Sequence, residues 1–201
     1  MLSEYLVKLH LIRPPGTKYA YSNTGYEVLS ALIEERTGQS YEDYCREAVF
    51  AKLGIAAPHL HPDWRMLSGA GGWYLPGPDY LAFLDIFSPS HPFLPDGVKK
   101  WIDRAQTKWS PGNTDRWYAL GVNTWAGSGR WTVSHGGILN SDGMSPEGRP
   151  TEASVVSHAY RAPDGTAVFI ALSWSPHAQH DLDELREEIG NAHKLVTVLP
   201  K

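Results

Sequence analysis

The chain has 201 residues, enough for one domain with a hydrophobic core but short for two. Its 42% of hydrophobic residues include no run approaching the 18 apolar residues of a transmembrane helix. A net charge of −4 without a basic stripe argues against a nucleic-acid partner, and the single cysteine, Cys45, excludes an internal disulfide and a cysteine-built zinc site.

The first half of the chain, residues 1–110, is predicted to be mainly helical. Apolar residues recur at helical spacing, and Gly38 and Gly54 supply C-terminal stops. Ser40 and Asp43 resemble a capping box, and Cys45 falls on an apolar helix face, which predicts a buried hydrophobe rather than a nucleophile. Prolines and glycines predict an irregular stretch over 56–77. Helices are predicted over 3–11, 24–37, 41–53, 78–87 and 97–107.

The second half, residues 111–201, is predicted to form an antiparallel sheet and a C-terminal helix over 181–195. Pro163-Asp164-Gly165 predicts a hairpin turn. The last strand is apolar on both faces, so we expect it to be central and covered. Helices followed by an antiparallel meander indicate an α+β fold. Strands are predicted over 117–125, 130–134, 153–161 and 166–174.

The first candidate for chemistry is Tyr21-Ser22-Asn23, which directly precedes a predicted helix. A tyrosine beside a cation can act as a base, because the positive charge lowers its pKa and the oxygen can then take a proton. Asn23, two residues on, can hold a substrate amide or carbonyl. The alternative is a turn that only caps the helix.

The second candidate is His135-Gly136-Gly137, predicted at the end of a strand. Two glycines without a Cβ let a ligand approach the backbone, whose N–H groups can stabilise an oxyanion. The alternative is a β-bulge or tight turn beside a surface histidine.

A third pattern is His59-Leu60-His61-Pro62-Asp63, which matches the start of a His-x-His-x-Asp-His zinc motif. Trp64 replaces the final histidine, and no strand pattern precedes the segment. We therefore favour a histidine-rich surface loop over a zinc hydrolase using His59, His61 and Asp63, and we expect neither a metal nor a cofactor.

Four segments together resemble the serine β-lactamase-like family, which includes class C β-lactamases, DD-peptidases and related esterases. The resemblance covers nearly the whole chain and implies a single partial β-lactamase/transpeptidase-like domain over residues 1–201. The segments, in the family's order, are Pro15-Gly16-Thr17 with Tyr21-Ser22-Asn23, then Ala70-Gly71-Gly72 with Pro78-Asp79-Tyr80-Leu81, then Tyr118-Ala119-Leu120-Gly121, and then His135-Gly136-Gly137.

The resemblance also implies roles for these residues. Tyr21 matches the tyrosine that assists proton transfer at the nucleophile, and His135 matches the cationic or hydrogen-bonding residue beside the site. Asn23 matches the residue that contacts the substrate amide. The segment Gly136, Gly137 and Ile138 matches the strand that binds substrate, with the Ile138 N–H as one half of the oxyanion hole.

One departure from the family affects the expected activity. The family's nucleophile is the serine of Ser-x-x-Lys, and no serine in these 201 residues has a lysine three positions later. We therefore expect that this chain alone forms no acyl-enzyme. The resemblance implies acyl transfer on β-lactams, D-Ala-D-Ala peptides or esters, that is, a small-molecule or peptidoglycan-like substrate. The alternative is a non-catalytic ligand-binding or scaffold module.

The resemblance further implies that the chain begins partway through the family fold. In the family, a strand from the earlier part pairs with the strand that 166–174 resembles. Without that partner an apolar edge stays open, and open edges promote strand pairing between molecules. We therefore expect self-association, or completion of the sheet by another polypeptide.

Overall fold

The computed structural model describes residues 13–109, 116–127, 130–144 and 150–173, together with Glu184 and Glu187. It has an α+β architecture in which helices precede an antiparallel sheet. The helix predicted over 3–11 lies outside the described residues, as does nearly all of the helix predicted over 181–195.

Helix α1, Asn23–Thr37, confirms the first helix prediction within the described region. The Ser22 side chain accepts a hydrogen bond from the Gly25 N–H at 3.1 Å, which satisfies one of the free N–H groups at the helix start. Gly38 ends the helix in the left-handed conformation (φ 71°), and its N–H donates to the Glu34 carbonyl.

The residues of α1 that are buried are not the apolar residues that recur at helical spacing. Leu29 and Leu32 are 54% and 48% exposed, whereas Glu27 and Ser30 are buried. The cause is a backbone approach at Gly69, where an added Cβ would lie 2.2 Å from the Tyr26 carbonyl oxygen. Only a glycine lets the chain lie so close to this helix face.

The helix predicted over 41–53 is continuous, but its type changes along its length. Ser40 caps it by accepting from the Asp43 N–H at 3.1 Å, as predicted. Cys45 is a buried free thiol whose pKa is raised by burial, which confirms the prediction of a packed hydrophobe. Gly54 closes the segment in the left-handed conformation. Its parts are α2 (Tyr41–Cys45), a π-helical stretch (Arg46–Phe50) and a 3₁₀ stretch (Ala51–Leu53).

The stretch over 56–77 is more ordered than predicted. Strands β1 (His59–Leu60) and β2 (Trp73–Tyr74) pair antiparallel around a 3₁₀ helix, Pro62–Leu67. Helix α3 follows at Gly77–Asp85 and helix α4 at Asp96–Trp109, which confirms both predicted helices with shifted ends.

Among the described residues, the main sheet is a five-stranded antiparallel meander whose strands lie in chain order. The single strand predicted over 117–125 is wrong, because a tight turn at Leu120 (φ 51°) and Gly121 (φ 83°) divides it. Two successive residues with positive φ are what a two-residue hairpin loop of type I′ requires. The strands are β3 (Arg116–Ala119), β4 (Val122–Gly127), β5 (Arg130–Met144), β6 (Pro150–Arg161) and β7 (Ala167–Ser173).

Strand β5 is far longer than predicted. His135-Gly136-Gly137 therefore lies inside a strand, and the prediction that it ends one is wrong. The reason is continuous pairing with β6, from Val133 opposite Arg161 to Met144 opposite Pro150.

The turn from β6 to β7 has the predicted form, with Gly165 at φ 93° and the Thr166 N–H donating to Asp164 Oδ1 at 2.9 Å. Strand β7 is not central in the described sheet, contrary to expectation. It pairs with β6 on one side and holds the outer position of the described strand order.

The core forms where α3 and α4 pack on one face of the sheet. Helix α3 contacts β6 and β7, and α4 contacts β3. The Trp117 indole donates from Nε1 to the Ile102 carbonyl at 2.9 Å, which ties β3 to α4. In the described part of the chain, no helix is long and apolar enough to cross a membrane. The buried core residues are Leu84, Ile86, Phe87, Ile102, Trp117, Ala119, Val122, Val133 and Ala159.

The approach at Gly69 predicts a stability effect. We expect Gly69→Ala to lower the free energy of unfolding by about 1–3 kcal/mol, because the new methyl group overlaps the Tyr26 carbonyl. An added Cβ at Gly97 in α4 meets nothing within 4 Å, so Gly97→Ala is the matched control and is expected to be neutral or slightly stabilising. Urea unfolding of both variants measures the difference, and equal stability would contradict the tight approach.

The outer edge of β7 predicts self-association, which we propose occurs through this strand. Size-exclusion chromatography with light scattering at tens of micromolar is expected to show species larger than one chain. Ala171 is exposed on β7, so Ala171→Lys is expected to shift the population towards the monomer. Leu29→Lys, at an exposed position on α1, is the control. A monomeric unmodified chain would contradict the proposal.

Candidate active site

Tyr21 and Asn23 lie at the start of α1, and both are exposed. The Tyr21 ring meets Tyr118 on β3 edge-on, with ring centroids 5.7 Å apart, and remains 62% exposed. Ser22 caps the helix between them. The capping interpretation of this segment is therefore confirmed, and the catalytic interpretation of Tyr21 remains a prediction.

A cluster of four tyrosines surrounds this helix start. Tyr19 also contacts Tyr118, with ring centroids 6.5 Å apart, and Tyr26 is hydrogen-bonded to Tyr118. Burial raises the pKa of Tyr26 and, more strongly, of Tyr118. Tyr26 and Tyr118 were not among the predicted site residues, although Tyr118 belongs to a segment that carries the family resemblance.

His135 lies on β5 and faces α3. Its Nδ1 is 3.4 Å from the hydroxyl oxygen of Tyr80, which is the fourth residue of that helix. Burial lowers the pKa of His135 below its ordinary value of 6.5 and raises the pKa of Tyr80 to about 12. Both side chains are therefore uncharged near pH 7. Tyr80 is a further residue at the candidate site that sequence reasoning did not single out.

The glycine pair lies on a strand edge that is free in the described sheet. Gly136, Gly137 and Ile138 pair with β6, opposite residues 156–158. Pairing with β4 ends at Ser134, opposite Asn123, so no described strand occupies the other side of β5 beyond that point. An added Cβ at Gly137 would meet only the Ser157 Oγ, at 3.8 Å. The backbone groups on this side of β5, which no described strand pairs, can therefore bind an extended ligand.

The strand register shows where Tyr118, which Tyr21 contacts, lies relative to His135. Tyr118, Asn123 and Ser134 lie opposite one another on β3, β4 and β5. Neighbouring strands are about 4.8 Å apart, which places Tyr118 about 10 Å from Ser134. His135 is next along β5 and points to the other face. In the described residues, Tyr21 thus contacts Tyr118 and His135 contacts Tyr80, and these contacts do not join Tyr21 to His135.

The two histidines of the His59-Leu60-His61-Pro62-Asp63 segment pack against one tyrosine ring. The rings of His59 and His61 both contact Tyr74, with centroids 5.2 and 5.6 Å away. Within the described residues, no group of three His, Cys, Asp or Glu side chains is arranged to hold a metal ion. The Asp63 side chain lies outside the described part.

The amino-acid sequence matches the family model described as Beta-lactamase over residues 2–172. It is 36% identical over 59 residues to the D-aminopeptidases of Brucella ovis and Brucella abortus, covering 29% of this chain and 11% of each relative. It is 30% identical over 109 residues to penicillin-binding protein 4 of Amycolatopsis lactamdurans, covering 42% of this chain and 28% of that protein. The chain therefore matches less than a third of the length of these relatives.

The lowered pKa of His135 predicts a pH effect on stability. Below about pH 6.5, the unfolded chain binds a proton that the folded state resists, so stability falls as the pH decreases. We expect urea midpoints at pH 7.5 and 5.5 to differ more in the unmodified chain than in His135→Gln. His59→Gln, at an exposed position, is the control. Equal acid sensitivity in the unmodified chain and His135→Gln would contradict a lowered pKa.

Proposed function

Because the chain belongs to the beta-lactamase family, we propose that it forms the substrate-binding part of an acyl-transfer site of the serine hydrolase type. The observation that carries this proposal is the edge of β5 that is free among the described strands, where His135, Gly136 and Gly137 follow the last residue paired with β4. An extended substrate would align on this edge through backbone hydrogen bonds.

The proposed roles follow the family pattern. The Ile138 N–H would donate to the oxyanion, and a preformed donor of this kind stabilises charge that develops in the transition state. Asn23 would hold the substrate amide, and Tyr21 would transfer a proton at the nucleophile. The exposure of Tyr21 and Asn23 supports access to a ligand. Tyr21 would have to come near His135 for these roles, because the described contacts do not join the two residues.

The proposed substrates are D-amino-acid peptides, amides or esters. Some relatives are named D-aminopeptidase or penicillin-binding protein, which supports this class. An uncharged His135 supports it further, because a neutral imidazole attracts a substrate carboxylate less than a lysine does. A peptidase or esterase is therefore favoured over a β-lactamase.

We propose that the nucleophile comes from outside these 201 residues, since none of their serines belongs to a Ser-x-x-Lys sequence. The same observation favours a second candidate, a module that binds such ligands without turnover. The two candidates differ in whether a supplied Ser-x-x-Lys segment restores the chemistry.

The proposal predicts reversible binding without acylation. A D-alanyl-D-alanine peptide with an amidated C-terminus is expected to bind the chain in a calorimetric titration, whereas fluorescent penicillin and fluorophosphonate leave its intact mass unchanged. Substituting Gly137→Val at the free edge is expected to weaken binding by about tenfold or more, because the side chain obstructs the ligand backbone. Gly97→Ala, on α4, is the matched control.

Adding a polypeptide that carries the Ser-x-x-Lys segment then separates the two candidates. A covalent penicillin adduct that depends on both polypeptides supports the acyl-transfer site. Binding without any adduct supports the non-catalytic module. No measurable binding by the unmodified chain would refute both, and an adduct on the chain alone would refute the external nucleophile.

A further inference from the structure

The side chain of Tyr80 links α3 to the glycine-bearing strand. Its hydroxyl lies 3.4 Å from His135 Nδ1, and the two residues are 55 positions apart in the chain. At its other side, the Tyr80 ring packs on Phe169 of β7, with centroids 5.6 Å apart. The residue therefore spans the sheet face from β7 to β5.

The register explains how one side chain reaches both strands. His135 lies opposite Ala159, and Ala159 lies opposite Phe169, so the three residues form one row across β5, β6 and β7. Ala159 is fully buried, and Tyr80 packs against the cluster that contains it. Because alanine is small, the space above the middle strand is left for the tyrosine ring.

The start of α3 is held against the same row. An added Cβ at Gly77 would lie 2.9 Å from Phe169 Cδ1, so the helix begins in direct contact with that ring. The Tyr80 N–H donates to the Pro76 carbonyl at 3.0 Å, which closes the first turn. These contacts fix the position of the Tyr80 hydroxyl relative to β5.

We propose that Tyr80 is a positioning residue for His135: its hydroxyl donates a hydrogen bond to Nδ1 and fixes the neutral tautomer that carries its hydrogen on Nε2. In this tautomer Nδ1 accepts and Nε2–H donates. The His135 position then presents a neutral hydrogen-bond donor in place of a cation.

The proposed direction of the bond is the one that gives the phenol O–H an acceptor. Burial keeps the phenol protonated, with a pKa of about 12, and lowers the pKa of His135, so a phenolic O–H meets an unprotonated imidazole. A buried O–H without an acceptor is destabilising, and Nδ1 is the acceptor within reach. Asp85 of α3 and Arg161 of β6 are charged groups of the described residues on the same sheet face as His135. They form an ion pair with each other.

The use of this donor rests on the proposed function: Nε2–H would bind a carbonyl oxygen of the substrate. The tautomer itself does not depend on that function. A test of the tautomer and a test of ligand binding can therefore fail independently.

Nitrogen-15 NMR of the histidine side chains in the full chain tests the proposal at pH 7.5. Signals are assigned to His135 by their loss in His135→Gln. We expect Nδ1 to show the shift of an unprotonated acceptor nitrogen and Nε2 that of a protonated one. Tyr80→Phe keeps the ring on Phe169 but removes the donor, so the ratio of the two tautomers is expected to fall about three- to tenfold and the pKa of His135 to rise.

Tyr74→Phe is the matched control, since it removes the hydroxyl of another tyrosine and keeps the ring that contacts His59 and His61. It is expected to leave the His135 signals unchanged. A hydrogen on Nδ1 in the unmodified chain would overturn the proposal, as would a tautomer ratio and pKa that stay the same in Tyr80→Phe. An intact tautomer in a chain that binds no D-amino-acid peptide would count against the proposed function alone.

Discussion

The packing of α3 across β6 and β7 is the contact on which the rest of the structure depends. It exists because Gly77 lacks a side chain where the helix meets Phe169, and because Ala159 leaves room above the middle strand. Through this contact α3 supplies Leu84 to the core and Tyr80 to His135. The same packing that buries apolar surface therefore also sets the electrostatic surroundings of the candidate site.

The candidate site combines a sheet edge with two groups of side chains that contain tyrosines. On one side, Tyr118 meets Tyr21 and Tyr26 near the start of α1. On the other, Tyr80 meets His135 beneath α3. Burial raises the pKa of Tyr80 and Tyr118 and lowers the pKa of His135, so these three groups are uncharged near neutral pH. A site of this kind binds through hydrogen bonds and shape more than through net charge.

Local features were predictable because each depends on a few neighbouring residues. The caps at Ser22 and Ser40 and the glycine stops need only the helix end itself. The Leu120-Gly121 turn was missed, because leucine at positive φ is uncommon and the flanking residues read as one strand. The length of β5 was missed because a glycine pair favours a strand end, and only pairing with β6 carries the strand through it.

By itself, the amino-acid sequence determined the helices within the described residues and their caps, the Pro163-Asp164-Gly165 turn, the α+β class and the family, because these follow from local spacing and ordered motifs. The tertiary structure alone decided that Leu29 is exposed while Glu27 is buried, and that no described strand pairs with β5 on its β4 side beyond Ser134. It also decided the contact of Tyr80 with His135. These features depend on residues far apart in the chain, whose distances are set only when the helices pack on the sheet.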